Sequence, residues 1–140
     1  MRASFLVVTV CAALAAAGCG VSGPQQPVAR LQGAVTINGQ PYPKDAEGTI
    51  TFMPAAGGGQ APPTSAPLID GRYQAEQVSK GKVTVLFTIT RLTGRMVVED
   101  NAPGGTPFPE RQNLVPVPCR QGIELEVKGD NPSQDFDLRG

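Results

Sequence analysis

The chain has 140 residues, with 12 Lys plus Arg against 12 Asp plus Glu and no His. That length holds about one domain's core and excludes a multi-domain enzyme, and zero net charge argues against nucleic-acid binding, which draws on a positive excess. Without His there is no Ser-His-Asp or Cys-His nucleophile system and no His-ligated zinc. With 17 Gly and 14 Pro the composition is heavy in turn formers, which suits many short strands better than helices.

Behind Arg2, Phe5 to Ala17 is an uncharged apolar run ending in small residues, the pattern of an export signal. At a rise of about 1.5 Å per residue it covers roughly 20 Å, short of the roughly 30 Å hydrocarbon core, so it reads as a signal over residues 1–18 rather than a membrane span. Ala16-Ala17-Gly18-Cys19 resembles a bacterial lipobox, although Ala16 stands where Leu is usual. The resemblance implies cleavage before Cys19 and acylation of that residue. Ordinary cleavage at Ala15-Ala16-Ala17 is the alternative, and leaves Cys19 a thiol. Two or more acyl chains anchor stably where one is marginal. The expectation is therefore an exported protein held at the cell envelope by a lipid anchor in a membrane. Losing residues 1–18 takes away Arg2 alone, leaving 11 basic and 12 acidic residues and a net charge of −1.

Cys11 lies in the signal, so an acylated Cys19 leaves Cys119 alone in the folded part, with no intramolecular disulfide and no Cys/His metal set. Cys119, in Pro116-Val117-Pro118-Cys119-Arg120, reads as a small buried hydrophobe. No cofactor is expected.

Residues 19–30 comprise Cys19 and a tether, since Gly20 to Ala29 is rich in Gly, Pro and Gln and lacks periodicity. The domain occupies 31–140. Leu31 to Ile37 alternates as a first strand, and Asn38-Gly39 signals a hairpin that opens the domain. Gly48 to Met53 is a second strand, with Ile50 and Phe52 on one face, ended by Pro54. Pro54 to Thr64 can be neither helix nor central strand and reads as an exposed loop. Ser65 to Ile69 and Arg72 to Glu76 form strands three and four, paired through Asp70-Gly71, with Tyr73 and Ala75 inward. Lys82 to Thr90 carries Val83, Val85, Phe87 and Ile89 on one face and should be the central strand. Met96-Val97-Val98 extends the sheet, and Asp100 to Pro109, with three Pro, reads as a second long loop. Ile123, Leu125 and Val127 alternate with Glu124, Glu126 and Lys128. A turn at Gly129-Asp130-Asn131-Pro132 then leads to Phe136 and Leu138, closing the chain as another hairpin. Seven strands, or eight, at such spacings mark an all-β sandwich or barrel.

The stretches Leu31-Gln32-Gly33-Ala34-Val35-Thr36-Ile37-Asn38-Gly39-Gln40-Pro41, Gly48-Thr49-Ile50-Thr51-Phe52-Met53-Pro54, Asp70-Gly71-Arg72-Tyr73, Gly81-Lys82-Val83-Thr84-Val85 and Phe136-Asp137-Leu138 together resemble the transthyretin-like, carboxypeptidase regulatory-like modules. With the lipobox in front, the chain is similar to small lipoproteins numerous in planctomycete-type bacteria. The resemblance implies a seven-stranded Greek-key, prealbumin-like β-sandwich and no assigned activity. The 5-hydroxyisourate hydrolases of that fold depend on His residues and a terminal Tyr-Arg-Gly-Ser, whereas this chain has no His and ends Asp137-Leu138-Arg139-Gly140.

Several constellations carry competing readings. Asp130, Asp135 and Asp137 with Asn131 place oxygen ligands around one turn, as a calcium site needs, although the spacing has no EF-hand pattern and a solvated face explains it more simply. Arg91, Arg95 and Arg111 read as a basic patch for acidic polysaccharide or lipid headgroups, or as solubilising charges. Glu99 and Asp100 with Glu110 are the carboxylates a His-free hydrolase would use. Long loops on a rigid scaffold carry binding, and Phe108 is their one aromatic, an anchor if exposed and a core cap if tucked in. The functional expectation is a noncatalytic envelope lipoprotein whose β-sandwich binds protein or carbohydrate. Its alternatives are a structural spacer or subunit of a surface assembly and a carboxylate-only hydrolase.

Overall fold

The computed structural model describes residues 26–55, 61–98 and 104–140. Eight strands follow in order: β1 (Val28–Ile37), β2 (Ala46–Pro54), β3 (Thr64–Leu68), β4 (Arg72–Ser79), β5 (Gly81–Val97), β6 (Phe108–Asn113), β7 (Ile123–Val127) and β8 (Phe136–Leu138). A short 3-10 turn, Val117–Cys119, precedes β7, and the described residues contain no α-helix. The strands form two sheets, β4-β1-β8 and β3-β2-β5-β6, with β7 also paired to β5. The protein is therefore an all-β sandwich.

β5 is the central strand that its alternation predicts. β2 covers one edge from Val83 to Arg91. The other edge is divided between β7, on Gly81 to Val85, and β6, on Thr90 to Val97. Val83, Val85, Phe87 and Ile89 all turn into the core. An aromatic chain crosses between the sheets: Phe52 lies 5.8 Å from Tyr73, Tyr73 lies 6.0 Å from Phe136, and Phe87 meets Phe136 edge-on at 5.3 Å. Such pairs hold the layers together through burial and quadrupole contact.

Three expected hairpins are corners instead. At Asn38-Gly39 both residues are left-handed, with φ of 52° and 70°, as a type I′ turn requires, and Ile37 exchanges two hydrogen bonds with Gln40. The ladder stops there, because β1 goes to the three-stranded sheet and β2 to the other. Asp70-Gly71, with φ of 50° and 75°, behaves in the same way: Ile69 pairs with Arg72, then β3 joins β2 while β4 joins β1. At the C-terminus β7 and β8 do not pair. β8 instead lies parallel to β1, Val35 beside Phe136 and Ile37 beside Leu138. In each case the apolar face of each strand decides which sheet it joins, and the turn decides only where the chain reverses.

Two further differences are local. β1 begins at Val28 rather than Leu31, with Ala29 buried, so the expected tether runs into the fold. β4 continues to Ser79 through a bulge: Ala29 opposes Val78 while Leu31 opposes Ala75, so β4 carries one extra residue, and Gln77 is left-handed with φ of 61°. That residue shifts the alternation by one and turns Val78 inward.

Candidate functional site

β5 does not end where the sandwich ends. Ala46 opposite Arg91 is the last pair with β2, yet β5 runs on to Val97. Beyond that point, among the described residues, only β6 pairs with it, giving a two-stranded arm. Thr93, Gly94 and Arg95 stand opposite the single Glu110, a bulge that bends the β5 strand of the arm. Leu114 donates its backbone N–H to the Ile89 carbonyl at 2.9 Å, so by alternation Gln112, Glu110 and Phe108 direct their backbone toward β5. The backbone groups of Pro109, Arg111 and Asn113 point outward, and Pro109 has no N–H to offer there. Pro and a bulge are devices that stop a further strand from adding to an edge.

The arm carries no buried residue from Leu92 to Met96 and none in β6. Leu92 is 50% exposed, Met96 62% and Phe108 49%. Cross-strand partners share a face, so Leu92, Met96, Pro109 and Arg111 lie on one side, continuous with the outer face of the large sheet. Arg91, Val97, Phe108 and Gln112 lie on the other.

Phe108 is thus exposed and opens a strand rather than sitting within a loop. Asp100 and residues up to Pro103 lie outside the described residues, as do residues 56–60 of the Pro54 to Thr64 loop. Glu99 and Asp100 lie outside them too, while Glu110 accepts a hydrogen bond from Thr93 Oγ1 at 2.5 Å. The expected basic patch is split. Arg91 donates from Nε and a terminal nitrogen to Gln112 Oε1 on one face of the arm, and Arg111 pairs with Glu47 at 2.8 Å on the other.

The three C-terminal aspartates do not converge on one point. Each accepts from a different backbone N–H along β1 and its turn: Asp130 from Arg30 at 2.8 Å, Asp135 from Ala34 at 2.7 Å, and Asp137 from Gly39 at 2.9 Å. They stitch the last segment to β1 where the three-residue β8 ladder is too short to do so. The Arg139 guanidinium, then the Gly39 N–H, holds the Asp137 carboxyl below its ordinary range. Among the described residues no group of three or more His, Cys, Asp or Glu side chains is placed to hold a metal ion. The carboxylates are thus engaged one by one on an exposed face, an arrangement that lends the calcium reading no support. Their spacing along the sequence held no signal of it, because their partners lie about a hundred residues upstream.

Tyr73 donates its hydroxyl to the Gln134 carbonyl at 2.7 Å, and burial first, then the Asp135 charge, raises its pKa. Tyr42 is buried with its hydroxyl unpartnered, and burial, then Glu47, raises its pKa as well. A shallow groove of about 770 Å³ runs over the three-stranded sheet, lined by Gln32, Asp70, Arg72, Tyr73 and Asp135 among others. Cys119 is buried, its thiol 3.4 Å from the Arg139 carbonyl, in keeping with a packing role. Cys19 lies outside the described residues. No family model, no curated protein and no solved structure matches this chain.

Proposed function

We propose that the protein is a noncatalytic cell-envelope lipoprotein, anchored through Cys19, whose β-sandwich engages another macromolecule through its surface. One observation carries the binding half of this reading: the β5–β6 arm leaves Leu92, Met96 and Phe108 about half exposed or more on a ribbon that no other element covers among the described residues. A two-stranded ribbon is marginally stable alone in water, and exposed apolar surface of this kind marks interaction sites. Against a carboxylate hydrolase stands Glu110, which is occupied by Thr93 on an open face of the arm rather than set in a cleft. The anchoring half rests on the apolar run and Ala16-Ala17-Gly18-Cys19. The two-sheet all-β architecture is the kind that the transthyretin-like resemblance implies, and we read the fold as of that type. The arm favours a protein partner over carbohydrate, because a sugar site draws on a pocket with aromatic platforms and this arm has one aromatic on an exposed ribbon.

The test is fatty-acid labelling and fractionation of cells making the full chain. Label and membrane association are expected for the native sequence, and both should vanish in Cys19→Ala. Unchanged labelling and fractionation in that variant contradict the anchor.

A further inference from the structure

We infer that the partner of the arm is a second copy of this chain, packed face to face on Leu92, Met96 and Pro109 about a twofold axis running along the arms. The orientation of the axis rests on the anchoring proposed above; the face and its pairing rest on the strand register.

Pro109 on the outer edge of β6 and the Thr93–Arg95 bulge in β5 oppose extension of the ribbon by another strand, so what covers the arm must stack on a face. The face of Leu92 and Met96 continues the outer surface of the large sheet, and so offers a partner a longer contact than the opposite side, which runs into the sandwich core. Two ribbons stacked about a twofold along their length set β5 of one over β6 of the other. The register Leu92 opposite Arg111 and Met96 opposite Pro109 then places Met96 over Pro109 of the second copy, and Leu92 over the aliphatic stem of its Arg111. Glu47, on the same face and already bonded to Arg111 within one chain, comes beside the second copy's Arg111, so the charges at the base of the arm complement one another.

The position of the chain leading to Cys19 selects this axis. Pro27 accepts a hydrogen bond from Lys80, at the Gly81 end of β5, whereas the arm lies at the Val97 end. At about 3.3 Å per residue the 17 residues of β5 separate the two ends by about 50 Å. The segment from Cys19 to Pro27 reaches at most about 30 Å. A twofold along the arms puts both anchors on one side, as a single membrane requires, while a perpendicular axis puts them at opposite ends. The same geometry disfavours the anchoring bilayer itself as the occupant, since the arm sits at the end far from it. Six residues of β5 at about 3.3 Å each, on a ribbon about 10 Å wide, give the arm's face on the order of 200 Å². That is below the roughly 800 Å² per partner of a stable interface, so the association is weak in solution and gains from confinement of both copies to one surface.

The test is in-cell crosslinking of the full chain carrying Met96→Cys, with a short bis-maleimide and the unsubstituted chain as blank. A crosslinked dimer is expected. Ile69→Cys, equally exposed but on a different surface, should give only background. Adding Leu92→Asp should lower the Met96→Cys dimer yield by about tenfold, the size expected for a central contact. Should Leu92→Asp fail to accumulate, Pro109→Asp on the facing strand takes its place. A dimer yield from Met96→Cys no greater than from Ile69→Cys, or one indifferent to these aspartates, overturns the inference. Fractionating the same cells separates the two proposals: anchored chains without crosslinks sink self-association alone, and crosslinked chains outside the membrane sink the anchor alone.

Discussion

β5 is one strand with two fates. From Val83 to Ile89 every second side chain is buried, with β2 along the whole of one edge and β7 on the other as far as Val85; from Leu92 to Met96 all side chains are exposed and, among the described residues, β6 alone accompanies it. The backbone hydrogen bonding continues, so strand formation does not distinguish the halves. What changes is whether a second layer exists above the side chains. The inner half is committed to folding, and the outer half is available to a partner.

Substitutions on the two halves should sort accordingly. Phe87→Ala removes the edge-on contact with Phe136 and leaves a cavity between the sheets, and should cost about 3–5 kcal/mol in denaturant unfolding. Gly33→Ala should follow at about 1–3 kcal/mol, because a Cβ there meets the Gln134 carbonyl, backbone that cannot rotate away. Asp135→Ala leaves the Ala34 N–H without its acceptor and should cost about 1–2 kcal/mol by the same measurement. Asp137 makes the C-terminal attachment acid-sensitive. Its folded pKa is depressed, so its contribution is present above the ordinary value of 3.8 and is lost as pH falls through the folded value. Asp137→Asn should remove that part of the acid dependence, which thermal melts across this range would register. Met96→Ser should change stability by no more than about 0.5 kcal/mol, since it removes an exposed side chain from the arm. A loss of about 2 kcal/mol or more there would place the arm in the core and erase the contrast.

The same contrast explains what could be read in advance. Val83 to Ile89 announces itself because one-sided burial writes a period of two into the sequence. β6, Phe-Pro-Glu-Arg-Gln-Asn, has no such period because neither face is buried, so from sequence alone Phe108 reads as a loop residue. The type I′ turns at Asn38-Gly39 and Asp70-Gly71 are legible from local sterics alone. Which strands then pair is not, because it depends on sheet membership settled by distant residues. The parallel β1–β8 contact joins residues about a hundred positions apart, and no local pattern encodes it. Of the candidate site, the sequence leaves Phe108 two places, exposed or capping the core, and it is exposed. Met96 reads as part of a sheet extension, but its exposure and that of Leu92 carry no signal, because an apolar residue at the end of a strand looks the same whether or not a layer covers it.

Hydrogen exchange along β5, followed as a function of protein concentration, tests the division of that strand most directly. Amides from Val83 to Ile89 should exchange only through global unfolding, at every concentration. Those from Leu92 to Val97 should exchange faster in dilute protein and slow as concentration rises and a second copy covers the arm. Protection of the outer half equal to that of the inner half, or independent of concentration, would contradict the account.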